Sequence, residues 1–64
     1  MIKFVELVNA DTNKPIWINV AQIIHIKPEG TPFTNISTSE GVVKIKLPYN
    51  QVKHEITQAL GTAN

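Results

Sequence analysis

Three short segments of this chain alternate apolar and polar residues with a period of two, and this alternation constrains the fold more than any other feature. The segments are Ile16–Asn19, Ile23–Lys27 and Val42–Leu47. Such a strand buries one face and leaves the other in water, which is typical of an antiparallel sheet covered on one side. The 21 β-branched residues among 64 favour the same backbone, because Ile, Val and Thr pack well on a pleated surface. The sequence therefore predicts a fold that is mainly β.

Turn-forming residues separate these segments from one another and from two further strands. Clusters of Asn, Asp, Gly and Pro predict turns at Asn9–Pro15, Pro28–Pro32 and Ser39–Gly41. The remaining apolar segments, Ile2–Val8 and Phe33–Thr38, are predicted as strands. The first of them is apolar on both sides, so we expect it to be central in the sheet or covered by another element.

Two helical segments complete the prediction. A single helical turn is expected after Asn19, whose side-chain oxygen can accept from the free amides of a first turn. Near the end of the chain, one helical stripe begins at Val52, with Asn50 as the expected N-cap and Gly61 as the expected terminator. A helix of this length is unstable alone, so it must pack its stripe on the sheet. The stripe consists of Val52, Ile56, Ala59 and Leu60.

Together these elements predict one small domain spanning residues 1–64. Its fold class is α+β and mainly β, a small antiparallel β-meander of four or five strands with one C-terminal α-helix packed on the sheet. The predicted core follows from the apolar faces of the strands and the helix. It comprises Ile24, Ile26, Val43, Ile45, Val52, Ile56 and Leu60.

Composition excludes several classes of function. The absence of Cys excludes disulfides and thiolate zinc sites, and the net charge of +1 is too small to imply a nucleic-acid or membrane partner by itself. No apolar stretch approaches the roughly 18 residues of a membrane span, and Glu6 interrupts the run that a signal peptide needs. We therefore expect a cytoplasmic protein with no membrane partner. A chain this small without staples buries little surface, so self-association is expected.

Catalytic and metal-binding patterns are missing from the sequence. Neither His25 nor His54 has carboxylates at a recognised metal-ligand spacing, and Ser37 and Ser39 lack the flanking glycines of a nucleophile elbow. The three glycines form no phosphate-binding loop. We expect no enzyme activity, no catalytic residue, no metal and no cofactor.

The polar face of the predicted sheet is the one surface that suggests a function. Basic side chains beside an aromatic plane are typical of surfaces that bind single-stranded nucleic acid, but the chain has no Arg, the residue best suited to base and phosphate contacts. An exposed Trp on a strand also marks protein interfaces, and the alternative for Trp17 is packing beneath the segment Pro28–Pro32 or beneath a chain end. Three functions stay open, namely a protein-binding module, a nucleic-acid-binding module and a structural homo-oligomer, beside a face that is only solvated. The candidate binding residues are Trp17, His25, Lys27, Lys44 and Lys46.

Two motifs carry a resemblance to a known family. The run Ile18–Ile26 fits a "V-N-x-x-x-I-x-x-I" segment apart from its first residue, and Thr34–Gly41 fits a "T-x-I-x-T-x-x-G" hairpin. With a strand after Met-Ile and a final amphipathic helix, the chain resembles the flagellar FlbD (swarming protein SwrD) family. The resemblance implies a small, non-enzymatic, motility-associated protein of a bacterium or a phage, and it carries over no catalytic residue.

Overall fold

The computed structural model describes residues 3–61, which form five strands, a short 3-10 helix and one α-helix. This architecture confirms the predicted fold class, including the single C-terminal helix. The predicted start of the first strand at Ile2 lies outside the described residues. The elements are β1 (Phe4–Asn9), β2 (Lys14–Asn19), the 3-10 helix (Val20–Gln22), β3 (Ile23–Pro28), β4 (Thr34–Thr38), β5 (Gly41–Ile45) and α1 (Tyr49–Leu60).

All five strands belong to one antiparallel sheet with the order β2-β1-β5-β4-β3. The hairpin β1–β2 and the meander β3–β4–β5 join where Asn9 of β1 pairs with Ile45 of β5. Two backbone bonds flank this pair, from the Ala10 N–H to the Lys44 carbonyl at 2.8 Å and from the Lys46 N–H to the Val8 carbonyl at 3.0 Å. The first strand is therefore internal, one of the two placements expected from its apolar residues, and the sheet edges are β2 and β3.

The two edge strands are neighbours in sequence and are linked by the 3-10 helix. Asn19 caps this helix by accepting from the Ala21 N–H at 3.0 Å, which confirms the predicted helical turn. The Ser39 N–H, in the turn between β4 and β5, donates to the Gln22 carbonyl at 3.2 Å, and the Ser39 hydroxyl donates to the Gln22 side-chain oxygen. These contacts extend the β3–β4 pairing one step beyond Ile23 and Thr38 and hold the β4–β5 turn beside the 3-10 helix. Because only three residues join the two edge strands of a five-stranded sheet, the sheet is strongly curved.

The helix α1 covers the concave face of the sheet through Val52, which is fully buried. The Thr34 hydroxyl, also fully buried, donates to the Leu47 carbonyl at 2.8 Å, so the only buried polar side chain in the described part of the chain has a partner. Half-buried side chains such as Ile26, Val43 and Ile56 pack around this core. The buried apolar residues are Val5, Leu7, Ile18, Val20, Ile36, Ile45 and Val52.

Two residues of the predicted core were assigned wrongly. Ile24 is 67% exposed because β3 has a bulge between Ile23 and His25. Ile24 is the extra residue of the bulge, so its side chain does not follow the strict alternation of buried and exposed positions. Leu60 is 49% exposed because it ends the helix at the margin of the sheet. The predictions for Ile45 and Val52 are confirmed, since both side chains are fully buried.

The helix ends follow the prediction at one terminus only. Pro48 is the N-cap and the helix begins at Tyr49, so the assignment of the cap to Asn50 was wrong. Proline suits this boundary because its fixed φ and missing N–H cost nothing where the amide would have no helical partner. Gly61 ends the helix in the left-handed region, at φ 66°, and its N–H donates to the Gln58 carbonyl, as the sequence predicted.

Candidate functional site

The convex face of the sheet carries every residue that the sequence selected as a binding candidate. Residues that pair across two strands lie on the same face of a sheet. Trp17 pairs with Glu6 in the β1–β2 hairpin, and Asn35 pairs with both Lys27 and Lys44 in the β3–β4–β5 meander. In the described residues no helix covers this side, and we call it the open face. Its members are Phe4, Glu6, Val8, Pro15, Trp17, Asn19, His25, Lys27, Asn35, Ser37, Val42 and Lys44, with Lys46 directly after β5.

The basic residues lie on the β3–β5 half of the open face. Lys27 and Lys44 stand on either side of Asn35, about 10 Å apart along the sheet at the usual strand spacing. The Asn35 side-chain amide donates to a Glu29 oxygen at 3.1 Å, which places one carboxylate on the same half of the open face. The sequence thus correctly predicted a shared basic face, whose charge Glu29 partly offsets.

Lys44 differs from the freely solvated lysine that the sequence suggested. Its Nζ lies 5.2 Å from the centre of the Phe33 ring, within the range of a cation–π contact, and the residue is half-buried. Lys46 is exposed and its backbone N–H bonds to Val8, which keeps it beside β1. Of these two lysines, Lys46 is the one whose side chain is free to meet a ligand without leaving an aromatic neighbour.

His25 contacts Ser37 across the β3–β4 pair, with 3.0 Å between the His25 Nε2 and the Ser37 Oγ. Both residues lie on the open face, outside the cavities described below. Within residues 3–61 no group of three or more His, Asp or Glu side chains is arranged to hold a metal ion. The geometry therefore gives His25 a hydrogen-bonding neighbour and a solvated position on the sheet.

Trp17 dominates the other half of the open face. Its side chain is 70% exposed, and its ring stacks on Phe4 with 5.0 Å between the ring centres and 26° between the planes. Offset stacking of this kind holds two rings in a fixed orientation and contributes about 0.5–1.5 kcal/mol beyond burial. Sequence analysis missed Phe4, because its contribution depends on the register that brings it diagonally next to Trp17.

Two cavities flank Trp17. The larger, of about 490 Å³, lies between the free edge of β2 and the β4–β5 turn. The smaller, of about 250 Å³, is lined by Glu6, Pro15, Ile16 and Trp17. A cavity of several hundred Å³ beside an exposed aromatic side chain has the size of a typical binding cleft. The larger cavity is lined by Phe4, Ile16, Trp17, Ile18, Asn19, Gln22, Thr38, Ser39, Glu40 and Val43.

The sites at the two ends of the open face are separate. Trp17 lines both cavities, whereas His25, Lys27, Lys44 and Lys46 line neither. The sequence-based candidates therefore form an aromatic site and a basic site on one face, and do not converge on one centre.

Among the described residues, no helix has the length and apolar character needed to cross a membrane. A scan against protein-family models, a search of curated proteins and a search of solved structures each found no match to this chain.

Proposed function

We propose that this protein is a non-catalytic interaction module that binds a protein partner at the aromatic end of its open face. One observation carries the proposal, namely that Trp17 is 70% exposed while its ring is held against Phe4. Exposing a large aromatic ring to water is unfavourable, and rigid aromatic side chains supply much of the energy of protein interfaces. A ring that is already oriented loses little conformational entropy when a partner covers it.

Absence of catalysis is part of the proposal. The closest approach to a catalytic pair is Ser37 with His25, a hydroxyl within hydrogen-bonding distance of an imidazole. A nucleophile of this kind also needs a group that orients the base and donors that stabilise an oxyanion. The two side chains lie on an exposed strand surface away from both cavities, which favours a structural cross-strand contact.

The proposed setting is the cytoplasm of a bacterium or a phage-infected cell. The resemblance to the FlbD/SwrD family supports a motility-associated role, because that family is small, non-enzymatic and flagellar. It makes a flagellar protein the first class of partner to consider.

A photo-crosslinking amino acid at position 42 tests the proposal. Val42 is 65% exposed on the open face and lies between Glu40 and Val43, which both line the larger cavity beside Trp17. A partner bound at Trp17 should therefore be captured at position 42 in the cells from which the protein comes. Capture should fall at least about tenfold when Trp17→Ala is added, because central aromatic anchors commonly contribute 2 kcal/mol or more. Mass spectrometry identifies the captured protein, and a flagellar component would support the motility-associated setting.

The same crosslinker at position 58 is the matched control, because Gln58 is exposed on α1, on the opposite side of the sheet. Trp17→Ala should remain folded, since the side chain it removes is mostly in water. Equal capture from positions 42 and 58, or capture that Trp17→Ala leaves unchanged, would contradict the proposed surface.

Nucleic acid is the second candidate partner, because the register places the lysines and the Trp17–Phe4 stack on one face. Two features make it the weaker proposal. Phe4 occupies one face of the Trp17 ring, and Glu6 lies directly opposite Trp17, where its carboxylate would repel a phosphate. The protein proposal meets neither obstacle.

The double variant Lys44→Gln/Lys46→Gln tests the nucleic-acid candidate. If phosphates contact both lysines, affinity for a single-stranded oligonucleotide should fall and the salt dependence of log K should flatten by about 1.4, because each contact in single strands contributes roughly 0.7. Fluorescence anisotropy between 50 and 200 mM salt measures both quantities. Stability should change by no more than about 1 kcal/mol, mostly through the loss of the Lys44–Phe33 contact. No binding by the parent protein at 50 mM salt would exclude this function.

A further inference from the structure

We propose that the cleft beside β2 binds an extended segment of the protein partner as an added sixth strand, and that this segment is apolar and carries a Lys or Arg. This inference rests on the proposed function and specifies how the partner is held. Four observations support it, concerning the two sheet edges, the direction of the backbone groups of β2, the walls of the cleft and its charge.

Within the described part of the chain, the edge at β3 is protected against strand addition, whereas the edge at β2 is open over half its length. The bulge at Ile24 interrupts β3, and Lys27 and Pro28 occupy its end. Bulges, lysines and prolines are the usual means by which proteins protect an edge strand. In β2 the corresponding residues, Lys14 and Pro15, stand only at the beginning, and the rest of the strand has no charge.

The backbone of β2 points donors and acceptors into the cleft. The Val20 N–H donates to the Lys3 carbonyl at 2.9 Å, and the β1–β2 register continues from this pair. Hydrogen-bonded pairs alternate in an antiparallel ladder, so Ile16 and Ile18 bond to β1. The N–H and C=O groups of Trp17 and the N–H of Asn19 therefore face away from β1, toward the larger cavity that these two residues line, while the Asn19 carbonyl accepts the first bond of the 3-10 helix.

The cleft has the walls that a strand with alternating side chains requires. On one side Ile16, Ile18 and Val43 offer apolar surface, and on the other Phe4 and Trp17 offer aromatic surface. The β4–β5 turn, fixed to Gln22 through Ser39, forms the far wall. Strand addition obtains affinity from the main chain and specificity from alternate side chains, which these two surfaces can receive.

The charge of the cleft selects the occupant. Among residues 3–61, Glu40 is the only charged residue that lines the larger cavity, and Glu6 is the only one that lines the smaller cavity. No described lysine lines either cavity, since the basic residues of the open face lie on β3, on β5 and directly after β5. A carboxylate on each side of Trp17 favours a cationic side chain and disfavours an acidic one.

The test uses four blocked heptapeptides in which valine and threonine alternate. One has lysine at its centre, one has glutamate there, and two N-methylated versions of the lysine peptide have alternate amides blocked on one edge or on the other. The readouts are the fluorescence of Trp17, the only Trp of the chain, and the exchange rates of individual backbone amides measured by NMR. Binding should slow exchange at Trp17 and Asn19 at least about tenfold, because both amides gain a hydrogen-bonding partner.

The lysine peptide should bind about threefold to tenfold more tightly than the glutamate peptide. An exposed charge contact changes affinity by a few fold, and the cleft carboxylates attract the lysine and repel the glutamate. Glu40→Gln should reduce this difference while both peptides still bind. One N-methylated peptide should lose binding, because the donors that face β2 are blocked, and the other should retain it. This matched pair separates backbone pairing from contact with the rings alone.

Several outcomes would overturn the inference. They are the absence of binding by all four peptides at about 1 mM, equal or tighter binding of the glutamate peptide, and binding that leaves exchange at Trp17 and Asn19 unchanged. If position 42 still captures a partner in a Trp17-dependent manner, the proposed function survives and only strand addition fails. A second copy of the chain would instead be the occupant if the Trp17 and Asn19 amides became protected with rising protein concentration alone and sedimentation showed a dimer. That result would overturn the assignment of a partner segment.

Discussion

Replacing Ile36 by alanine should destabilise the protein by about 2–5 kcal/mol, because this side chain is fully buried at the centre of the core. Its cross-strand neighbours on the concave face are Ile26 in β3 and Val43 in β5, so truncation leaves a cavity between three strands. A domain of 64 residues has only about 3–10 kcal/mol of total stability. Urea denaturation followed by circular dichroism should show a much lower midpoint, or no folded baseline at 25 °C.

Ile24→Ala is the matched control, because it removes the same atoms from a side chain that is 67% exposed. We expect a loss below about 1 kcal/mol, which reflects a modest difference in strand propensity. The two variants together test the bulge in β3, since a regular strand would bury Ile24. Similar losses for the two variants would contradict the assignment of Ile36 to the core and Ile24 to the surface.

The alternating segments predicted what they physically determine, namely which residues share a face of a strand. Because successive side chains point to opposite faces of a sheet, Lys44 and Lys46 must lie on one face and Val43 and Ile45 on the other. When one face of the sheet is covered, the apolar set is the one that is buried. For the same reason the shared face of Trp17, His25, Lys27 and Lys44 was correctly predicted. Period two fails only where a residue is inserted, as at Ile24, because a bulge leaves no clear pattern in one sequence.

The aromatic site and its cleft could not be predicted, because they depend on strand order. A sequential meander would place β2 beside β3, whereas the observed order makes both of them edges and puts β1 beside β5. This order depends on the pairing of Asn9 with Ile45, which joins the hairpin β1–β2 to β5. Contacts between residues so distant in sequence follow from global packing, which local patterns do not specify. The same global packing leaves the edge of β2 facing a cleft.

The site also shows why a small net charge was a weak guide to partners. The net charge of the chain is +1, but the charges are separated on the open face. Lysines occupy its β3–β5 half, and the carboxylates of Glu6 and Glu40 lie on either side of Trp17. Because ionic screening limits exposed charges to a range of about 8 Å at physiological salt, a ligand at Trp17 experiences mainly Glu6 and Glu40. Partner chemistry is therefore set by the local charge of each half.

The second large effect is expected for Val52→Asp, which places a carboxylate at the only fully buried position of α1. Burying an unpaired charge costs several kcal/mol, so either the carboxyl group becomes protonated or the helix leaves the sheet. A helix of 12 residues is marginal in water once it is undocked, so its signal should be lost as well. We expect a loss of at least about 3 kcal/mol, which is a third or more of the stability of a domain of this size. Circular dichroism and urea denaturation measure both effects.

Gln51→Asp is the control for the helix prediction, because it introduces the same side chain one residue earlier at an exposed position of the first turn. The first turn contains no acidic residue, and a carboxylate there interacts favourably with the helix dipole, so stability should stay equal or rise by up to about 1 kcal/mol. Opposite outcomes for adjacent positions would distinguish burial of charge from its mere presence on the helix. If Val52→Asp instead unfolded cooperatively within about 1 kcal/mol of the parent, α1 would not be docked through Val52. The concave face would then be exposed, and Trp17 would no longer be the most prominent apolar surface for a partner to cover.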